Sequence, residues 1–121
     1  MARADGLRDR TKRFAFGVVR LVKALPRTPA TDAVARQLGR AGTSVAANHR
    51  AAGRARSRKE FAARLALVLE EADESEFWLE TLRDCDLANP DVVTPLLNEA
   101  SELRAIFAAS LVTVRRNMTR S

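Results

Sequence analysis

Two pairs of glutamates have a spacing that could hold a metal ion. Glu71 and Glu74, and later Glu99 and Glu102, each form an E-x-x-E pattern, which puts both carboxylates of a pair on one face of a helix. Carboxylate oxygens are the ligands that Mg²⁺ takes in phosphate-processing sites, and all-α nucleotide pyrophosphohydrolases use acidic pairs in this way. One interpretation of the chain is therefore a Mg²⁺-dependent all-α nucleotide pyrophosphohydrolase.

The axial positions of these pairs argue against a shared metal. If the helices that carry them turn around near residue 91, Glu74 lies opposite residue 108 and Glu99 lies opposite Arg83. The two pairs are then offset by about 9 Å or more at 1.5 Å per residue, too far for ligands at about 2.1 Å from one Mg²⁺. We therefore expect no metal site and no enzymatic activity, and we predict a salt bridge between Arg83 and Glu99.

The chain holds one histidine and one cysteine, which limits other chemistry. Cys85 cannot form a disulfide within the chain, and zinc and haem sites lack candidate ligands. His49 has no serine or cysteine partner at a recognisable spacing and adjoins arginines that favour its neutral form. We expect His49 to be a surface or interface residue and Asn48 to make structural hydrogen bonds that set the register between helices. No cofactor is expected.

A run of basic residues without an acid lies within residues 50–59: Arg50, Arg54, Arg56, Arg58 and Lys59. Such a run can bind RNA or DNA, because each neutralised phosphate releases condensed counterions. The chain has only 5 Phe and 1 Trp, and none interleaves with the arginines as a base-stacking platform does. Binding should therefore follow backbone charge without strong sequence specificity; the alternative is a solvated charged surface.

Charge is divided unequally along the chain. Residues 1–60 contain 15 basic and 4 acidic residues, and residues 61–121 contain 6 and 11, so the two halves carry +11 and −5. Halves of opposite charge can pack against each other within one protomer or between subunits. Any basic surface left without acidic partners would attract a polyanion.

Composition and periodicity indicate a single all-α domain spanning residues 1–121. The 121 residues include 46% hydrophobic residues but only 4 Pro and 5 Gly, which suits one helical core. Apolar residues at alternating steps of three and four predict helices over residues 7–25, 29–52, 58–88 and 94–116. Thr28 before Pro29 is typical of a helix N-cap, with Thr31 and Asp32 as alternatives, and Ser57 with Glu60 fits a capping box.

Short connections between these helices favour an antiparallel up-and-down four-helix bundle. Residues 1–14 lack the apolar core of a signal peptide, and no stretch approaches the roughly 20 apolar residues of a membrane span. We therefore expect a cytoplasmic protein with no membrane partner.

A strip of small residues lies beside the apolar seam of the second helix: Ala35, Gly39, Gly42 and Ala46. Interior glycines cost about 1 kcal/mol each relative to alanine unless close packing compensates, so the strip predicts contact with another backbone; the alternative is glycine tolerated in an Ala-rich helix. Phe77 and Trp78 are adjacent, so one must point away from the seam. We predict that the strip and these aromatics form an interface between subunits.

Several stretches together resemble a known bacterial family. They are Gln37-Leu38, Ser44-Val45-Ala46-Ala47-Asn48, Lys59-Glu60-Phe61, Glu74-Ser75-Glu76-Phe77-Trp78-Leu79 and Pro95-Leu96-Leu97-Asn98-Glu99-Ala100. Their order and spacing resemble the bacterial four helix bundle proteins, named for reading frames in 23S rRNA intervening sequences. The resemblance covers residues 10–116.

The resemblance implies a four-helix protomer that assembles into a homo-oligomeric ring, commonly a homopentamer, with no established enzymatic activity. One related branch comprises the accessory variability proteins of diversity-generating retroelements, whose basic pentamers engage a reverse transcriptase and nucleic acid. The expected partners are accordingly further copies of the chain, RNA or DNA, and a reverse transcriptase if one is encoded nearby.

Overall fold

The computed structural model describes the backbone of residues 2–120 and the side chains of residues 6–119. It contains four helices, Ala2–Ala24 (α1), Pro29–Ala52 (α2), Arg58–Asp84 (α3) and Pro90–Arg120 (α4), and no strand within the described backbone. The all-α class is confirmed. Across that same backbone, none of the helices has the length and hydropathy needed to cross a bilayer.

Each helix packs against two others and none lies across a diagonal of the described structure. α1 contacts α2 and α4, and α3 contacts the same two helices. Arg10 on α1 contacts Glu99 on α4, and Gly17, further along α1, lies beside Leu96, which is earlier in α4. The two helices are therefore antiparallel. The connections are four or five residues long, which forces consecutive helices to be antiparallel neighbours as well. The result is an up-and-down four-helix bundle.

The core runs along the centre of this bundle and receives side chains from every helix. The predicted apolar stripes supply its largest fully buried members, among them Phe14, Val18, Leu38, Val45, Leu79, Leu82, Leu103 and Phe107. Their spacing keeps one face of each helix turned inward, and burial of these faces supplies most of the stabilisation that isolated helices lack.

Two of the helix starts are made by the predicted caps. Thr28 Oγ1 accepts a hydrogen bond from the Thr31 backbone N–H at 3.1 Å, and Ser57 Oγ accepts one from the Glu60 N–H at 3.0 Å. Each bond satisfies one of the amide donors that the first turn of a helix leaves unpaired. The two caps fix where α2 and α3 begin.

The third helix ends earlier than the sequence predicts, at Asp84 and not at residue 88. Asp86 adopts a left-handed conformation with φ 56°, and the Leu87 N–H donates to the Leu82 carbonyl oxygen at 2.9 Å. This is the bond pattern of a Schellman motif. It stops the helix because the carbonyls of its last turn are already satisfied and Leu87 folds back onto the core.

The fourth helix begins at Pro90, four residues before the predicted start. Asn89 Oδ1 accepts a hydrogen bond from the Asp91 N–H at 2.9 Å, and fully buried Val93 anchors the added turn in the core. Pro95 therefore lies inside the helix, near its start, where its missing N–H removes only one hydrogen bond. The helix also extends to residue 120, beyond the predicted residue 116.

Two glycines allow close approach between α1 and its neighbours. A Cβ on Gly42 would lie 2.8 Å from Val18 Cγ1, and a Cβ on Gly17 would lie 2.8 Å from Leu96 Cδ2. The prediction that Gly42 faces another subunit is therefore wrong, because the space beside it is filled by Val18 of the same chain. Gly39, in contrast, has no atom within 4 Å of the position its Cβ would take.

Candidate nucleic-acid interface

One end of the bundle brings together the beginning of α1, the end of α2, the beginning of α3 and the last part of α4. These four segments surround a groove with a volume of about 930 Å³. Its apolar walls include Leu7, Phe61, Leu65, Phe107 and Val114, one or two from each of three helices. The basic run lies at the same end, on the last turn of α2, the loop between α2 and α3, and the first turn of α3.

The whole predicted basic run is exposed at this end: Arg50, Arg54, Arg56, Arg58 and Lys59. Arg50 and Arg54 also line the groove, and α1 adds Arg8 to the same lining. We call these six residues the basic end. Sequence reasoning missed Arg8 because it lies 42 residues from Arg50 in the chain, and only the packing of α1 beside α2 brings the two together.

Acidic residues of the second half are engaged elsewhere along the bundle. Arg10 donates to both carboxylate oxygens of Glu99, at 2.7 and 2.8 Å, and to Glu102 at 2.8 Å. Arg40 pairs with Glu71 and Glu74. The charge-opposed halves therefore meet within one protomer.

The acidic α3 helix has a further partner on α4, since Arg104 pairs with Glu76 at 2.5 Å and approaches Asp73 at 3.9 Å. Hydrogen bonding to Arg40 lowers the pKa of Glu74, and hydrogen bonding to Glu99 raises the pKa of Arg10. Arg8, Arg50 and Arg54 form no ion pair with any described residue. These three arginines of the basic end therefore have no neutralising partner among the described residues, whereas several glutamates of the second half are paired with other arginines.

His49 lies in the wall of the groove and is half-buried, rather than on the open surface. Its ring is 5.6 Å from the Phe107 ring at an interplanar angle of 53°. Burial lowers the pKa of His49, so the imidazole is neutral at pH 7. The sequence predicted the neutral form from neighbouring arginines, whereas removal of the ring from water is the dominant cause.

The neighbouring Asn48 makes the predicted structural hydrogen bond, but within its own helix and not between helices. Its Nδ2 donates to the Ser44 carbonyl oxygen at 3.0 Å, one turn earlier in α2. The side chain is only partly buried, so water can reach the polar groups that this bond leaves open and no partner across the bundle is required.

Both E-x-x-E pairs are held by arginine side chains, Glu71 and Glu74 by Arg40 and Glu99 and Glu102 by Arg10. The predicted salt bridge between Arg83 and Glu99 is wrong, because Arg83 pairs with Asp84 and Glu99 turns toward α1. No three His, Cys, Asp or Glu residues cluster as a metal site among the residues whose side chains are described.

The remaining residues of the predicted subunit interface differ in their surroundings. Ala35 and Trp78 are partly buried against the core of their own protomer, and Trp78 Nε1 donates to Glu74 Oε2 at 3.1 Å. Ala46 is partly buried. Phe77 has 55% of its surface exposed and meets the edge of Trp78 with ring centroids 4.8 Å apart, so it is the aromatic that points outward.

Comparison with known proteins places this bundle in a family. The sequence pattern of the 23S rRNA-intervening sequence protein family matches residues 7–109. The chain belongs to this family. The four-helix bundle with the basic end is therefore the structure of one member of the 23S rRNA-intervening sequence protein family.

A crystal structure of a protein with unknown function from the S23 ribosomal protein family of Bacteroides thetaiotaomicron has the same fold. It is 30% identical in sequence and superimposes with a TM-score of 0.81, covering 89% of this chain and 96% of that one. No curated protein matches the chain. The family match and the shared fold therefore establish the family and the architecture of the chain.

Proposed function

We propose that this 23S rRNA-intervening sequence protein is a non-enzymatic, homo-oligomeric interaction protein that binds RNA or DNA phosphates through its basic end. The observation that carries the proposal is the distribution of ion pairs. Arg10, Arg40 and Arg104 bind acids of the second half, whereas Arg8, Arg50 and Arg54 have no acidic partner among the described residues. Exposed guanidinium groups without carboxylates attract a polyanion.

Such binding is driven mainly by counterion release and varies little with base sequence. Each phosphate neutralised on a duplex contributes about −0.9 to the slope of log K against log salt concentration. A single protomer offers few contacts, so we expect affinities in the micromolar range or weaker at physiological salt.

We further propose that the protein forms a homo-oligomeric ring, with a pentamer as the expected state. Large apolar side chains with 41–55% of their surface exposed support this: Phe16, Val19, Leu67, Phe77, Val92 and Val112. Phe16 and Val19 lie next to each other, one turn apart on α1, and adjacent exposed apolar side chains of this kind support a protomer that has partners. In a ring, the basic end repeats once per subunit, and a long nucleic acid that touches several copies binds with avidity. A reverse transcriptase encoded nearby would be a further partner.

Binding is tested by fluorescence anisotropy with a labelled nucleic acid at two salt concentrations. The variant Arg50→Ala/Arg54→Ala/Arg56→Ala removes three charges from the basic end. The matched control, Arg20→Ala/Lys23→Ala/Arg36→Ala, removes three exposed charges from the other end of the bundle, where Lys23 and Arg36 line a smaller depression.

The parent and the control should bind with a steep salt dependence. The basic-end variant should bind much more weakly, and its salt slope on duplex DNA should be smaller by about three. Absence of parent binding at low salt, or equal weakening by both variants, would overturn the proposal.

The oligomer is tested separately by light scattering at micromolar concentration. A pentamer has five times the mass of the 13.3 kDa chain. A monomer mass would refute assembly, but it would leave the charge argument for each protomer untouched.

A further inference from the structure

We infer that the groove at the basic end accepts an unpaired base, so that the preferred ligand is single-stranded nucleic acid. This inference rests on the proposed function and adds to it the form of the nucleic acid. It starts from one juxtaposition, since Arg8, Arg50 and Arg54 line the same groove as Phe61 and His49.

The groove combines the two surfaces that single-strand binding needs. Guanidinium groups hold phosphates, and aromatic rings stack on bases of any identity. The sequence places no aromatic residue between the arginines, and the fold supplies the rings from elsewhere. Phe61 comes from the first turn of α3, and His49 comes from the last turn of α2.

The rings of the groove suit a neutral, flat ligand. Phe107 lines the groove and is 1% exposed, and its ring centroid lies 5.6 Å from that of His49. Phe61 and His49 each remain partly exposed. Because burial keeps the imidazole uncharged, a base that enters meets a neutral aromatic ring and not a cation.

The rest of the lining is compatible with any of the bases. Ser110 and Thr113 place hydroxyl groups in the wall, and the Thr113 hydroxyl donates to the Ala109 carbonyl at 3.1 Å, which leaves its oxygen free to accept. The volume of about 930 Å³ lies within the range of ligand pockets and exceeds what a side chain or a water needs. A duplex would have to unstack and unpair a base to use this space, whereas a single strand has one available.

The test compares three ligands of equal length: a single-stranded oligodeoxyadenylate, an abasic oligomer with the same phosphates, and a duplex. At one salt concentration, the oligodeoxyadenylate should bind about tenfold or more tightly than the abasic oligomer, which is the expected gain from base stacking. A 2-aminopurine placed in the strand should change its fluorescence on binding.

The variant Phe61→Leu keeps an apolar side chain in the groove but removes the ring, and it should reduce the preference for bases over the abasic strand to near unity. Phe77→Leu is the matched control, since Phe77 is an exposed phenylalanine about 24 Å further along α3 at 1.5 Å per residue. It should keep the full preference. If thermal unfolding shows that Phe61→Leu does not fold, His49→Ala replaces it with the same expected result.

The outcomes separate this inference from the proposed function. Equal affinity for the base-containing and abasic strands, with dependence on the basic end retained, overturns the groove inference and leaves phosphate binding intact. Tighter binding of the duplex than of the single strand also overturns it. Absence of binding to all three ligands overturns both.

Discussion

Gly42 on α2 lies directly against Val18 on α1, and a Cβ atom on Gly42 would lie between 2.8 and 3.0 Å from three side-chain atoms of that valine. Val18 is fully buried and its branched side chain has little rotamer freedom, so it cannot move aside. This contact holds the first two helices at close range.

Paired substitutions at the two glycines of α2 test this contact. Gly42→Ala should destabilise the fold by about 1–2 kcal/mol, because overpacking against Val18 outweighs the better helix propensity of alanine. Gly39→Ala should stabilise it by about 0.5–1 kcal/mol, because a Cβ there meets no atom within 4 Å. Denaturant unfolding of both variants measures the difference, and equal effects of the same sign would contradict the assigned packing.

Stability should depend on pH through His49. Burial lowers its pKa in the folded state below the ordinary value of 6.5, so near and below pH 6.5 the unfolded chain binds the proton more readily. The contribution of neutral His49 to the free energy of unfolding is therefore fully present above pH 6.5, and it is lost as the pH falls through the pKa of His49 in the folded state. The charged groups that share the groove with His49 are Arg8, Arg50 and Arg54.

Unfolding by denaturant at pH 7 and at pH 5.5 checks this dependence. The parent should lose stability at the lower pH, and His49→Gln, which cannot titrate, should lose less. Glu74 affects stability only in a lower pH range, because its pKa in the folded state is depressed below 4.5. Its stabilising effect is therefore lost below that value and not between pH 7 and pH 5.5. An equal loss in the parent and the variant would show that another group is responsible.

The C-terminus of α3 offers a stabilising substitution. Asp86 has φ 56°, a conformation that costs an ordinary residue about 1–2 kcal/mol and glycine almost nothing. Asp86→Gly should therefore stabilise the protein by about 0.5–1 kcal/mol, measured as a higher thermal midpoint. Asp86→Ala keeps the Cβ and removes the polar group, so it serves as the control. A stabilising effect of Asp86→Ala would rule out the backbone explanation.

Magnesium should leave the stability of the parent unchanged and support no nucleotide hydrolysis. Arg40 and Arg10 hold the two glutamate pairs, and a cation would have to displace them. A ligand that binds the native state raises the thermal midpoint by mass action. A rise of several degrees with Mg²⁺ that Glu74→Gln abolishes would restore the hydrolase interpretation.

Local rules account for the parts of the fold that the sequence predicted. Apolar residues at steps of three and four keep one face inward, so the core members Leu38, Val45, Leu103 and Phe107 follow from spacing alone. The caps at Thr28 and Ser57 depend on residues three positions apart. The end of α3 near Asp86 and the start of α4 at Pro90 could not be predicted from spacing, because they depend on the packing of Leu87 and Val93 against the core.

The basic run was visible in the sequence, but the groove beside it, and the absence of a described acidic partner for Arg50 and Arg54, were decided only by tertiary structure. Arg40 and Arg50 are both exposed arginines of α2. Helix packing nevertheless puts Glu71 and Glu74 beside Arg40, whereas Arg50 forms no ion pair with a described acid. Likewise, Phe61 lines the same groove as Arg8 and His49 only because four helices converge there. Periodicity determines which face of a helix is buried, but the neighbour that each outward side chain meets depends on the axial register between helices, which short-range patterns do not encode.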